Sequence, residues 1–387
     1  MNKIFINKPG KSTIVIVAIN TGAFNEVDSY KGISHFVEHL VFKGNPKRNQ
    51  KQISGAIDNV GGDLNAFTDW EITAYWAKVG NSYKDLALEV ITDLATKPLF
   101  PAKEIDKERE VIIQELKMYE DDAKSYVYEV FNKQLYAKQS GFYLPIVGTK
   151  ETLYNTKRDT LIKYHKDHYI NPTLIIVGDI KDKEEIECSY KGTYIPSELA
   201  NNPQDKLVER DNLTQANIII GNSVRISQDN MNKTEQLFCL LLLQAVYGDM
   251  SGRLFDTIRE KNNLVYRVHF DYELYSNGTI QWDVSAGLDK DKINKARELV
   301  VKELRRPISD KDIEMALTKA IGIQEMKIDS ITNLGYITAY SLIRGLDYKE
   351  FTDNYKKNIK WATGLVNDFI KEMRFNNNIL VGIVPSK

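Results

Sequence analysis

The chain has 387 residues, 42% hydrophobic and 27% charged, ordinary globular usage that excludes both a disordered chain and a membrane-embedded one. Its length suits two domains. With 52 Lys plus Arg against 53 Asp plus Glu the formal charge is -1, so no overall field draws the chain to nucleic acid or an anionic membrane, and neither is expected as a partner.

From the N-terminus, the apolar runs of "MNKIFINKPGKSTIVIVAIN" are short and broken by Asn7, Lys8, Pro9 and Lys11, unlike the apolar region of a signal peptide. The run "STIVIVAIN" is a strand, helices begin near Gly32 and Asn49, and the turn "NVGGD" leads into the strands "LNAFT" and "EITAYWAKV". A helix spans Ser82 to Thr96. After the stop and restart at "KPLFPAKE" a second runs to about Glu120, with Pro101 and acidic residues in its first turn. Further helices lead to the apolar strand "NPTLIIVGDI".

The same order then recurs. "ANIIIGNSVRI" repeats the opening strand, "KTEQLFCLLLLQAVYG" the first helix, "TIQWDVSAGL" a strand, and "KDKINKARELVVKEL" and "SDKDIEMALTKAIGIQEMK" the two long helices. In the closing strand "NNNILVGIVP", Val381-Gly382 lie 204 positions after Val177-Gly178 (381 − 177). That offset of about half the chain predicts an internal duplication of α+β class: two homologous α/β rolls, each a mainly antiparallel sheet with helices on one face. The expected division is 1–195, a polar linker at 196–206, and 207–387. Cys188 and Cys239, far apart in sequence, read as buried, unreactive thiols of a reducing compartment, so a cytoplasmic protein is expected. No apolar run reaches the roughly 18 residues of a membrane span.

The stretch "GISHFVEHLVFKG" carries two of the five histidines, His35 and His39, with Glu38 between them. On a helix, residues four apart lie about 40° apart around the axis, and Glu38, three after His35, falls on the same surface. Two imidazoles so placed suit one zinc ion, with the glutamate reaching metal-activated water; His-x-x-Glu-His is a zinc-peptidase signature. The pattern alone leaves a second reading open, a core helix anchored by Ile33, Phe36, Val37, Leu40 and Val41. A third ligand is required to decide.

Together with "FKG", "GGDLNAFTDWEITAY" and "EIDKEREVIIQELKMYEDD", this stretch resembles the pitrilysin family of zinc metallopeptidases, the inverzincins that include insulin-degrading enzyme and the mitochondrial processing peptidases. The resemblance implies a third ligand in a later helix, at Glu115, 76 residues after His39 (115 − 39). It also implies one Zn²⁺ per chain and an outer acid, Glu108, that orients a ligand histidine. Otherwise Glu108 is a surface carboxylate paired with Lys107 or Arg109. The implied activity is endopeptidase cleavage of short or unfolded peptides in a closed chamber, with Glu38 as general base. Precursor or leader processing and general peptide clearance are equally compatible with it.

By the same resemblance "SGRLFDTIREKNNLVYRV" supplies Arg259 and Tyr266 to the substrate carbonyl. Asn263 stands where the family usually has glycine, and asparagine tolerates the left-handed conformation. The plain alternatives are a helix-surface cation near Asp256 and an ordinary strand tyrosine. Asn65, Ala66 and Phe67 match the family's edge strand, which grips extended substrates by main-chain hydrogen bonds; otherwise they form a polar edge strand. Since one chain carries both the zinc motif and the Arg–Tyr pair, the resemblance favours a homodimer over a heterodimer, each zinc site facing Arg259 and Tyr266 of the partner subunit. A non-catalytic peptide-binding or scaffold subunit is the competing expectation. His165 and His168 in "YHKDHY", with no acid or cysteine completing a site, read as solvated histidines. Glu325 stands where the repeat places a partner of Glu115, but "KTEQLFCLLLLQAVYG" has no histidine, so the second half is expected to bind no zinc.

Overall fold

The computed structural model describes residues 1–180, 198–346 and 359–386. Cys188 and the start of the expected linker lie outside them.

Two compact units are present, each built on a five-stranded sheet. The first holds β1 (Asn2–Asn7), β2 (Ser12–Ile19), β3 (Asp63–Thr68), β4 (Thr73–Gly80) and β5 (Thr173–Gly178) in the order β1-β5-β2-β4-β3. The second holds β6 (Lys206–Arg210), β7 (Ala216–Arg225), β8 (Val265–Leu274), β9 (Thr279–Leu288) and β10 (Ile379–Pro385) in the order β6-β10-β7-β9-β8. The two orders are the same topology. In each, the first edge strand pairs in parallel and the other neighbours are antiparallel. The duplication and the α+β architecture are thus present in the fold. β1 and β6, absent from the sequence reading, are edge strands with half-exposed, mixed patterns that carry little periodic signal. Lys206, expected to close the linker, opens β6, and Ala200 N–H donates to Leu135 O at 3.0 Å.

In the first unit α1 (Ile33–Val41), α2 (Gln50–Asp58), α3 (Lys84–Thr96), α4 (Ala102–Asp121), α6 (Lys150–Asn155) and α7 (Arg158–His168) accompany the sheet. α5 (Ala123–Leu135) belongs to the second unit with α8 (Lys233–Tyr247), α9 (Ile293–Leu304), most of α10 (Asp310–Asp329) and α12 (Ile359–Glu372). Asn49 caps α2 through a reciprocal pair of hydrogen bonds with Gln52, and Asn232 does the same for α8 with Glu235.

The units exchange helices. α11 (Ile331–Arg344), from the second half of the chain, packs on β2 and β5, while α5 packs on β7 and β10. Val15, Val17 and Ile19 of β2 join the core beneath α1 and α3. Ile14 and Ile16 face the other way, toward α11. There Gly335 allows a close approach: a Cβ in its place would stand 2.6 Å from Ile16 Cδ1. One exchanged helix therefore covers the second sheet face, in addition to the helices expected on the first. This double burial explains why β2 is apolar along nearly its whole length.

The second unit differs beneath its exchanged helix. Taking Val381 as counterpart of Val177, the strand registers make Asp283 the counterpart of Trp76, and Asp271 that of Asn65. Asp283 is 5% exposed and lies directly across from Asp271, with the Tyr128 hydroxyl donating to it at 3.3 Å. Burial, and then the Asp271 charge, push its carboxyl up to about 8. An unfolded aspartate titrates near ~3.9, so between these values the folded state holds a proton that the unfolded state has lost. Stability therefore falls as pH rises toward 8. Asp283→Asn, which keeps an acceptor for Tyr128, is expected to flatten the decline of melting temperature between about pH 5 and 8. An unchanged slope would remove Asp283 as its source.

Candidate metal centre

α1 enters through Gly32, whose φ of +89° lies in the left-handed region and where a Cβ would stand 2.5 Å from Val147 O. Ile33, Phe36, Val37, Leu40 and Val41 are buried, fixing one face of α1 in the core. His35, Glu38 and His39 are thereby turned toward α4, which buries Ile105, Ile112, Ile113 and Leu116 and presents Glu108 and Glu115 on one side. The core-helix and metal-site readings of this stretch are compatible, because they use different faces.

Three donors converge. His35 Nε2 lies 3.7 Å and His39 Nε2 3.5 Å from Glu115 Oε2, and ligand atoms of these residues all fall within 4.8 Å of one another. Donors at about 2.0–2.1 Å from a tetrahedral zinc stand roughly 3.3–3.4 Å apart. The arrangement therefore fits zinc with small adjustments, and among the described residues it is the one such cluster. Two nitrogens and a carboxylate oxygen leave a fourth position for water, the donor set of a catalytic rather than a structural zinc.

The electrostatics favour a cation. Burial and the neighbouring His39 hold His35 down to about 4, so it is neutral and free to donate a lone pair. Burial opposes charge on His39 too, yet hydrogen bonds to Glu108 and Glu115 raise it to about 9. Glu108 Oε2 lies 3.3 Å from His39 Nδ1, and its other oxygen takes the Lys43 ammonium at 2.6 Å. Lys107 instead pairs with Glu104, and Arg109 with Asp106. Glu108 thus faces the histidine rather than its chain neighbours, as an orienting acid does. His35 Nδ1 is buried with no partner among the described residues.

Glu38 stands beside the donors, with its Oε2 accepting from the Thr68 hydroxyl at 2.7 Å. Burial raises its carboxyl above the ordinary range, against the opposing effects of Thr68 and His39. A carboxylate so tuned exchanges protons more readily near neutral pH. Thr68 and Lys43 are contributors that the sequence reading assigns no role. The available signals are strand alternation, which puts Thr68 on the side of Leu64 and Ala66, and the four-residue step from His39 to Lys43.

β3 is an edge strand, as expected. Asn65 Oδ1 accepts from Ala66 N–H at 2.8 Å, while the Phe67 ring stacks at 5.9 Å on Tyr340 and lies edge-on to Tyr336 of α11. Only the main chain of Phe67 is thus left to meet another strand. Arg259 and Tyr266 are neighbours within the second unit. The Arg259 guanidinium sits 5.1 Å from the Tyr266 ring centroid, on a π-helical turn, Phe255–Glu260. Asp256 pairs with Lys261 and not with Arg259. Asn263 adopts φ +50°, the left-handed conformation expected of it. A bulge between Val265 and Arg267 turns Tyr266 outward, 75% exposed.

One expectation is corrected in part. His165 and His168 are half-buried rather than fully solvated: His165 Nε2 meets Ala95 O at 2.9 Å and its ring packs on Phe100 and Tyr169, while His168 stacks on Tyr164. α7 sets both rings against aromatic neighbours that cover them in part. Cys239 is buried as expected, and no helix among the described residues is long and apolar enough to cross a membrane.

Comparison with known proteins places the chain in a family. The family model of insulinase, peptidase family M16, matches residues 4–145, and that of the peptidase M16 inactive domain matches residues 155–319. The chain is 31% identical over 339 residues to YmxG of Bacillus subtilis, named an uncharacterized zinc protease, covering 84% of this chain and 81% of the relative. It is 32% identical over 337 residues to an uncharacterized zinc protease of Rickettsia felis, covering 83% and 76%. A protease from Helicobacter pylori shares the fold, with a TM-score of 0.82 at 17% identity, 99% of this chain and 96% of that one being covered. A peptidase M16 inactive domain from Pseudomonas fluorescens does so with a TM-score of 0.79 at 11% identity, covering 100% and 95%. By its sequence relatives and family models, this chain belongs to the insulinase family, peptidase family M16.

Proposed function

We propose that the chain is a zinc endopeptidase acting on short or unfolded peptides. The observation that carries this reading is the convergence of His35, His39 and Glu115 beside a buried, Thr68-anchored Glu38. His35, His39 and Glu115 hold one zinc per chain, which when bound supplies a Lewis acid for the scissile carbonyl and brings the pKa of a water to about 7. Glu38 takes a proton from the attacking water and passes it to the leaving amine. Thr68 occupies Oε2, leaving Oε1 as the proton-carrying oxygen. Glu108 holds the His39 ring in place through Nδ1. The edge strand β3, at Asn65, Ala66 and Phe67, pairs with the substrate main chain, so unfolded peptides are accepted with little regard to side chain. Precursor or leader peptide processing is one use of such an activity.

Arg259 and Tyr266 donate to the developing oxyanion, the first as a fixed cation and the second as a neutral donor. They act from a second copy, each zinc site meeting Arg259 and Tyr266 of the partner subunit in a homodimer. In support, one chain carries both groups. A cytoplasmic setting belongs to the same reading, on the strength of the two widely separated cysteines.

The test is turnover of unfolded peptides by the purified chain with zinc counted and mass measured. Expected are one zinc per chain, a mass of about twice the 44.4 kDa chain, and cleavage abolished by a chelator and restored by zinc. Peptide binding without zinc or cleavage would favour a scaffold subunit. Activity that appears only with a second gene product would favour a heterodimer.

A further inference from the structure

Glu26 lies in the loop before α1 and is 8% exposed. Its carboxylate receives two backbone donors from the start of α1: Gly32 N–H at 2.9 Å on Oε2 and Ser34 N–H at 2.8 Å on Oε1. No side chain of the cap residue Gly32 can do this. Lys31, 1% exposed, donates to Ala23 O at 2.7 Å. Burial works against the charges of both Glu26 and Lys31, and each favours the other's.

The surrounding bonds tie this cap to other parts of the site. Lys31 O accepts from the Thr152 hydroxyl at 2.7 Å, and Ser34 Oγ shares a 2.7 Å hydrogen bond with the Tyr164 hydroxyl. Ala23 N–H and Phe24 N–H donate to Asp69 O and Trp70 O, at 3.1 and 2.8 Å. Those two carbonyls follow Thr68, the residue that holds Glu38. The loop around Glu26 therefore fastens α1, which bears His35, His39 and Glu38, to the β3–β4 turn.

Mutual Coulomb attraction between two buried charges is weak evidence of stabilisation, since apolar side chains of similar volume often serve as well. A carboxylate offers something they lack, two acceptor oxygens for two helix-start donors that have no partner within the helix. Two bonds to donors two residues apart in the first turn set both the position and the rotation of the helix start. Ser34 directly precedes His35, so a small rotation there moves the first imidazole relative to Glu115.

We infer that Glu26 is a positioning residue of the metal centre, its carboxylate setting the start of α1 so that His35 and His39 converge on Glu115. This rests on the reading of His35, His39 and Glu115 as zinc ligands. The experiment compares the parent chain with Glu26→Gln and with Glu26→Gln/Lys31→Met, which also removes the buried lysine charge should the single variant fail to fold. Zinc affinity is measured by competition with a chromogenic chelator, and metal-free melting by circular dichroism. Folded variants are expected to bind zinc about 10–100-fold more weakly, the usual worth of an outer partner of a metal ligand. Parent-like zinc affinity in a folded variant, even one with a lower melting temperature, overturns the inference and leaves the zinc reading intact. A parent chain that binds no zinc overturns both.

Discussion

Glu38→Gln is expected to lower the turnover of unfolded peptides by about 10²–10⁴-fold, the usual worth of a general base, and to leave zinc in place. The substitution is nearly isosteric, and the amide oxygen still accepts the Thr68 hydroxyl that now reaches Oε2 at 2.7 Å. What it removes is the ability to take a proton from water and give it to the leaving amine. Because Glu38 is not one of the three converging donors, metal content is expected at the parent level. The loss should appear in kcat, with little change in KM, since the interaction is made only as the proton moves. The measurement is steady-state cleavage of a fluorogenic peptide alongside metal analysis of the same sample. A zinc-loaded variant that cleaves at the parent rate would sink the proposed mechanism.

Glu115→Gln is expected to have the larger effect on the metal itself. Glu115 contributes the anionic donor, with Oε2 3.7 Å from His35 Nε2 and 3.5 Å from His39 Nε2. A neutral amide in its place leaves two imidazoles and no anionic donor among the three converging groups. Zinc affinity is expected to fall by more than the roughly 10–100-fold that an outer partner such as Glu108 is worth, and cleavage to fall to background. The fold should survive, because α4 is anchored by Ile105, Ile112, Ile113 and Leu116. Melting curves make the distinction, since a ligand that binds only the native state raises the melting temperature. Added zinc should raise that of the parent and not that of the variant. An equal zinc-dependent shift in both would remove Glu115 from the ligand set.

Several parts of the molecule are legible from local pattern alone. The apolar positions of α1 and the four-residue step between His35 and His39 follow from helical periodicity. The caps at Asn49 and Asn232 follow from short-range hydrogen bonding. The duplication shows in the echo of Val177-Gly178 by Val381-Gly382 and returns as two sheets of identical order. β1 and β6 escape notice because an edge strand with one mixed face carries almost no periodic signal. The partial burial of His165 and His168 escapes because the aromatic rings that cover them in part include Phe100, from a distant stretch of chain.

The sequence by itself determined the elements and the candidate chemistry: a helix with two imidazoles and a carboxylate on one edge, repeated strands, and a chain long enough for two cores. These depend on residues within a few positions of one another, where backbone geometry leaves little freedom. Spacing alone did not determine Glu115, which family resemblance supplied. Only the tertiary structure decided that Glu115 meets both imidazoles, that Glu108 turns to His39 rather than to Lys107 or Arg109, and that Thr68 holds Glu38. It likewise decided that α5 and α11 cover sheets from opposite halves of the chain. Each of these is a contact between elements far apart in sequence. Such contacts are set by how apolar faces close against one another, which no local pattern encodes.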